Sequence, residues 1–577
     1  MFRTQSAVPE MELFMRYLKN QVIQGTLILT IAGFITRLIG FVYRVYLSDT
    51  IGSRLLGVYQ LIFPVYGICF TIYASGIQTA ISQKIASITE DSDASVIKRH
   101  KKELSYFKTG LFASLFLAFV LSFFVFGFAD QIASHLLLEK SCTVYLKILC
   151  TLFPFCGISA CINGYFYGKK EAKYPAVSQI VEQLSRVFIV ILLCTFLPYS
   201  ALIKSYFAVC GLVFGEIMAS VYNMIRFGLA QKEFIKCHSD RNTPFHTTVF
   251  SKSSFPDTAP LETEPKTKQK LSRSLSFPAK AMLKQKHTIK NSLLFLAITL
   301  TGTKLILSIL HSAESVFIPA ALRKYGYSAA NALSTYGILS GVALPFILFP
   351  SAITNSFAVM LLPSIAQAAA QKKRETIQKY VSLSGKYSLY LGYFFTCIFL
   401  LFGQDFGTLL FQSKEAGLYI RWLSFICPAL YLSTTFTSII NGLGSTQITF
   451  FITIISLGIN IASLVFFVPV YGMKAYLAGS ILSDYIMVLF EYIYLHSYIR
   501  IDFCKTFLLP LLFLILSMLV FPFISSFLPI KVSRLHRIAM LFFKLLLLGI
   551  GYFGFLIGSG CLVSGKKSSC KREKFDT

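Results

Sequence analysis

Residues 25–47 read GTLILTIAGFITRLIGFVYRVYL, an unbroken run of mostly apolar side chains. A bilayer core takes about 20 apolar residues of α-helix to cross, so this run predicts a membrane-spanning helix. Thr30, Gly33, Arg37, Gly40 and Arg44 recur within it at steps of three and four, which puts all five on one helical face. A charged side chain at the bilayer centre costs on the order of 3 kcal/mol on insertion scales, so two on one stripe need compensation. Two readings supply it. In one, the stripe lines a wet cavity and the arginines hold an anionic group such as phosphate through forked hydrogen bonds. In the other, they pair with buried acids such as Glu182 or Glu216, and Arg44 reaches to the outer interface.

Thirteen similar runs follow, near 56–81, 110–129, 143–166, 176–197, 202–227, 292–319, 335–361, 387–403, 418–440, 447–468, 475–497, 507–528 and 538–560. Here they are numbered spans 2 to 14. They are too long for barrel strands and do not alternate. Composition agrees, with 55% hydrophobic and only 14% charged residues among 577 and a mean hydropathy of +0.65. A water-facing surface usually takes about a quarter charged residues, which excludes a soluble protein.

The net charge of +28 would suggest nucleic acid in a soluble chain. Its distribution argues otherwise. With the N-terminus inside, the inward segments hold 36 Lys and Arg and the outward ones 10. That is the positive-inside bias, so both termini are expected in the cytoplasm of a bacterial cell, with no nucleic-acid partner. The first span lacks a small-residue cleavage site and is expected to be retained. The 13 cysteines, scattered in apolar runs without a CxxC pair, read as packing residues, with no metal site.

The expected fold is an all-α polytopic membrane protein of about 14 transmembrane helices. Residues 228–290 interrupt the pattern with Ser, Thr, Pro and Lys, and are expected to form a disordered basic cytoplasmic linker, suited to anionic membrane lipids or a protein partner. This divides the chain into a 1–24 N-terminal segment, a 25–227 N-lobe, the linker, a 291–497 C-lobe, spans 13 and 14 within 498–564, and a 565–577 basic tail. The lobes echo each other. Tyr145 and Lys147 precede Pro154 as Tyr419 and Arg421 precede Pro428, an offset of 274, while Tyr59 and Tyr336 open spans 2 and 8. Asn163-Gly164 and Asn441-Gly442 are read as closing spans 4 and 10, at distances from proline that differ by one helical turn. Two pseudo-repeated six-helix lobes with parallel topology place a substrate site between them, and spans 13 and 14 are additions.

Span 7 carries a second polar face, Thr301, Lys304, Ser308, His311 and Ser315, with Glu314 beside it. Arg37, Arg44, Lys304, Ser308 and Gln78 are therefore the candidate substrate-binding residues. His311, Glu314, Glu216 and Asp484 are candidates for ion coupling. Plainer readings stand beside these: His311 as a hydrogen-bonded core residue, Glu314 as a neutraliser of Lys304 or His311, and Asp484 with Glu491 as interhelical glue. Glu182 and Arg186 satisfy each other at i,i+4. Pro64, Pro154, Pro345, Pro350 and Pro428 predict kinks inside spans. No nucleotide-binding or hydrolase motif appears, so neither covalent catalysis nor a cofactor is expected, and any drive comes from the membrane potential, H+ or Na+.

Thr36 to Arg44 (TRLIGFVYR), Ile51-Gly52, Leu56 to Leu61 (LGVYQL) and Ser75 to Ser82 (SGIQTAIS) resemble the opening of stage V sporulation protein B relatives. These form a polysaccharide flippase branch of the multidrug/oligosaccharidyl-lipid/polysaccharide exporter superfamily. The MurJ-type lipid II flippases are more distantly similar, and Arg37, Gly40 and Phe41 match an Arg and Gly-Phe pair in their first span. Arg44 departs from that pattern by one residue. The resemblance implies movement of an undecaprenyl-linked peptidoglycan precursor, or another lipid-linked saccharide, to the outer leaflet through a basic cavity that receives the pyrophosphate. The alternatives are a multidrug cation exporter of the same fold, which needs an acidic cavity, and a non-transport scaffold that recruits cell-wall synthesis proteins through the basic linker.

Overall fold

Gly52 sits at φ +77°, a backbone region that side chains disfavour, and there the helix Gln21–Leu61 breaks into spans 1 and 2. The computed structural model describes residues 21–89, 95–239, 278–498 and 534–558, with 508, 510–516 and 518 between. Span 2 continues through Phe63–Phe70, a π-helical turn Thr71–Ser75, and Gly76–Thr89. Spans 3, 5 and 6 are Val96–Gly127, Lys173–Phe196 and Ala201–Ser239. Span 4 is Cys142–Leu149 and Phe153–Gly168, joined by a 3-10 turn.

The second lobe follows the same plan. Span 7 is Pro278–Lys324, and span 8 runs from Ala329 through a π-helical turn Leu339–Ala343 to Leu348, then Ser351–Ala370. Span 9 is Arg374–Leu409. Span 10 is Lys414–Leu423 and Ile426–Gly442, bent by 53°. Span 11 opens with Thr446–Ala462, span 12 is Met473–Leu495 and span 14 is Arg534–Gly558. Among the described residues, twelve helices, or thirteen with the bent pair, are long and apolar enough to cross a membrane. Ile28–Ile88 holds spans 1 and 2 together, span 8 counts twice, and most of span 13 lies outside the described residues. The all-α architecture of two pseudo-repeated lobes plus C-terminal additions is what the hydropathy pattern predicted.

Two expectations change. The linker is shorter than 228–290: residues 228–239 continue span 6 and 278–290 lead into span 7 as helix. Its remainder, the basic tail and residues 1–20 lie outside the described residues. The repeat is also more regular than the Asn-Gly pairs suggested. Asn163-Gly164 does not end span 4, which continues to Gly168. Gly168 and Gly442 close their spans 274 positions apart, the same offset as Pro154 and Pro428, so no turn was gained or lost. Each glycine seats against matching residues of the neighbouring span, Gly168 on Ile85 and Gly442 on Ile365. The five prolines expected to kink the spans stand at the start of a new helical segment, where the missing N–H costs no helical hydrogen bond, whereas Pro319 and Pro363 lie inside helices.

Each lobe rests its first helix on the other lobe's second. Span 1 meets span 8 through Phe34–Phe349 and Phe41–Phe346, with ring centroids 5.6 and 5.4 Å apart. Span 7 meets span 2 where Gly76 abuts Thr301 and Ala297. Near the ends opened by Gly52, spans 2 and 8 cross in close contact. A side chain at Gly57 would enter the Leu333 carbonyl, and one at Gly337 the backbone of Ser53 and Gly57. Ser53 and Ser334 hydroxyls hydrogen-bond there at 2.6 Å.

Candidate functional site

Lys304 lies midway along span 7, and its ammonium crosses the lobe interface. It donates to the Ser75 carbonyl (3.3 Å), the Ser75 hydroxyl (3.1 Å) and the Thr79 hydroxyl (2.8 Å). The Ser75 carbonyl belongs to the π-helical turn, a departure from α-geometry that often marks functional sites. Beside Lys304 opens a cavity of about 580 Å³ between spans 2, 7 and 8. Its wall is Gln60, Phe63, Pro64, Gly67, Phe70, Thr71, Ser75, Lys304, Leu307, Ser308, His311, Ser312, Ser315, Tyr336 and Ser340. One cation, one imidazole, an amide and many hydroxyls share it with two phenylalanines. Among the described residues, no carboxylate lines it.

Span 7's polar stripe thus divides between two tasks. Lys304, Ser308, His311 and Ser315 face the cavity. Glu314, on the flank, turns into the C-lobe and accepts hydrogen bonds from Asn460 (2.6 Å) and the Tyr476 hydroxyl (3.1 Å). His311, 61% exposed, stands 3.8 Å from Glu314 and links cavity to acid. Asp484 lies near Glu314 and also near Glu491, which is fully buried and accepts from Thr437. Among the described residues, no group of three His, Cys, Asp or Glu is arranged to hold a metal ion.

The remaining predicted residues lie elsewhere. Arg37 is exposed and outside the cavity wall. Open space adjoins Gly33 and Gly40 on its stripe. Arg44 is half-buried and faces Tyr59 and Arg186 of the N-lobe interior. Neither arginine pairs with Glu182 or Glu216; Glu182 binds Arg186 instead. Gln78 packs its backbone on Gly164, outside the wall. Glu216 is buried within the N-lobe. Lys147 pairs with Asp130 at 3.4 Å. Sequence reading passed over Gln60, Thr71, Ser312 and Ser340. Only Ser312 carried a signal, as part of the serine-rich face of span 7; the others are single polar residues in apolar runs.

Residues 22–255 match the family described as "Polysaccharide biosynthesis protein", and residues 324–466 match the MatE family. Stage V sporulation protein B of Bacillus subtilis (strain 168) is 25% identical over 404 residues, covering 70% of this chain and 69% of that one. The chain is thus similar to polysaccharide biosynthesis proteins over its N-lobe and to MatE proteins over much of its C-lobe. A solved lipid II flippase MurJ in an inward closed conformation superposes on it with a TM-score of 0.61 at 14% identity, covering 92% of this chain and all of that one. An inward-facing multidrug resistance transporter of the MATE family gives 0.54 at 13%, covering 80% and 97%. At these identities the likeness is one of fold, that of multi-pass membrane transporters.

The chain has a second, apolar recess of about 370 Å³ beside span 14. Phe357 and Leu361 of span 8, Tyr380, Leu383 and Tyr387 of span 9, and Phe553 and Leu556 of span 14 wall it. Its chemistry is the opposite of the cavity's.

Proposed function

We propose that this chain moves a lipid-linked saccharide precursor from the inner to the outer leaflet by alternating access of its two lobes, with the undecaprenyl-pyrophosphate-linked peptidoglycan precursor, lipid II, as first substrate. The cavity carries this reading: an interlobe wall with Lys304, His311, hydroxyls and no carboxylate suits a phosphorylated sugar headgroup. Lys304 faces the charge, while hydroxyls and Gln60 exchange hydrogen bonds with sugar. The apolar recess beside span 14 offers the lipid chain a place outside that wet wall. Arg37, exposed at open space on span 1, supplies a second cation on the approach.

Negative charge on the headgroup is drawn outward by an inside-negative membrane potential, at about 2.3 kcal/mol per charge per 100 mV. Proton or Na+ binding at Glu314 and Asp484, reached from the cavity through His311, is a further source of drive. The cytoplasmic placement of both termini follows from the loop charges. Multidrug cation export draws support from the MatE match and the MATE-like fold. It is disfavoured by the wall, because a cation site needs an acid facing it.

Complementation tests the reading. A host depleted of its lipid II flippase, expressing this chain, should regain precursor exposure on the outer leaflet. That rescue should be lost in Lys304→Ala and reduced in Arg37→Ala, with both variants normally inserted. Failure of well-inserted wild type would exclude lipid II as the cargo. Rescue that survives both substitutions would exclude the assigned site.

A further inference from the structure

Glu216 stands on the far side of span 2 from the cavity. Phe63, Gly67 and Phe70 face the cavity, whereas Tyr66 and Tyr73 turn inward onto Phe153 of span 4. Glu216 is 7% exposed among them. The titratable and charged groups around it are Glu182 and Arg186 of span 5, Tyr66 and Tyr73 of span 2, and Cys156 of span 4. Tyr43 and Arg44 of span 1 and Tyr59 of span 2 face Arg186. Arg186 is already ion-paired with Glu182. Glu216 therefore has phenols and a thiol around it but no cation of its own. A carboxyl group in such a place needs a counter-charge or a proton.

A second set of groups leads to it. Ser220 and Asn223 continue the Glu216 face of span 6, and Ser159 and Asn163 form the facing stripe of span 4, which runs in the same direction. The Ser159 and Ser220 hydroxyls meet at 3.2 Å. One turn further, Asn223 is fully buried and neither of its side-chain polar atoms has a protein partner; the Asn163 Oδ1 atom is likewise buried and unpartnered. The fully buried Tyr73 hydroxyl, beside Glu216, faces the Cys156 thiol. The Ser220 hydroxyl also donates to the Phe155 carbonyl at 2.7 Å, so the unpaired groups of the two helices are the asparagine amides, the kind of lining that buried water occupies.

We propose that Glu216 is a proton-binding acid of the N-lobe, loaded from the cytoplasmic end along the ladder Asn163–Asn223 and Ser159–Ser220. A water in the ladder gives a proton to one carboxylate oxygen, forming an O–H bond, and recovers one from the next water. The site lies apart from the cavity and does not depend on the identity of the cargo.

Infrared difference spectra of the full chain in lipid nanodiscs, recorded as pH is raised, test this without any substrate. Wild type should lose a protonated-carboxyl band that is absent from Glu216→Gln and kept in Glu182→Gln. After a pH jump, Asn223→Leu should keep the band but respond several-fold more slowly. Should Glu216→Gln fail to insert, Glu216→Asp should shift the band. A wild type with no such band, a band undiminished in Glu216→Gln or unshifted in Glu216→Asp, or an unslowed Asn223→Leu would overturn the proposal.

Discussion

Lys304 and Arg37 had the same standing in the sequence, each a base on a polar stripe with helical spacing. Only Lys304 stands in the cavity wall, held by Ser75 and Thr79 of the opposite lobe. Periodicity tells which residues share a face but not what that face meets. A hydrogen bond to a charged group is worth about 1.5–3 kcal/mol, so Lys304→Ala should weaken headgroup binding by about 10- to 100-fold. Lys304→Arg should retain much of it, as titration with a soluble lipid II analogue would show. Glu314 offers a separate check on the C-lobe network. Glu314→Ala leaves Asn460 and Tyr476 without their acceptor, at about 1–3 kcal/mol for each buried group. The Tm of the detergent-solubilised variant should fall clearly, and that of Glu314→Gln, which keeps a carbonyl oxygen, should fall less.

At the scale of elements, the helices were legible because apolar runs of spanning length have few other uses. Breaks within them were legible at Pro64, Pro154, Pro345, Pro350 and Pro428, each of which begins a new segment, although Pro319 and Pro363 sit within unbroken helices. The π-helical turns at Thr71–Ser75 and Leu339–Ala343 were not, since no residue type marks them. Nor did the Asn-Gly pair mark the end of span 4: Gly164 is held mid-helix by close packing on Gln78, and Gly168 performs the closing role. The crossing of spans 2 and 8 gives an element-level prediction. A methyl group at Gly337 collides with the backbone of Ser53 and Gly57, so Gly337→Ala should force these ends apart. A cysteine introduced at Ser53 should then react faster with an impermeant thiol reagent than in the Gly337 background.

Across the whole molecule, polar contacts clasp the lobes at one end. They include Asp49 with Gln412 (2.8 Å), Ser53 with Ser334 (2.6 Å), and Arg323 with Glu139 and the Leu138 carbonyl (both 2.7 Å). If the lobes rock to pass their cargo, this end must open. Cysteines at Asp49 and Gln412, joined by a short bifunctional thiol reagent, should abolish flipping, while a monofunctional reagent should leave it largely intact. The same measurement checks the rocking itself, since transport undiminished by the bridge would exclude opening at this end. The sequence by itself determined that the chain crosses a membrane many times, that it is built from two parallel repeats, and that bases enter its spans. Hydrophobic length, repeat offset and charge are properties of residues in order, and they survive without coordinates. Only the tertiary structure decided which bases share a cavity, that no acid among the described residues stands in its wall, and that Glu216 lies behind span 2 with unpaired asparagine amides below it. Those facts depend on the rotation of each helix against its neighbours, which side-chain packing sets and one chain's periodicity leaves open.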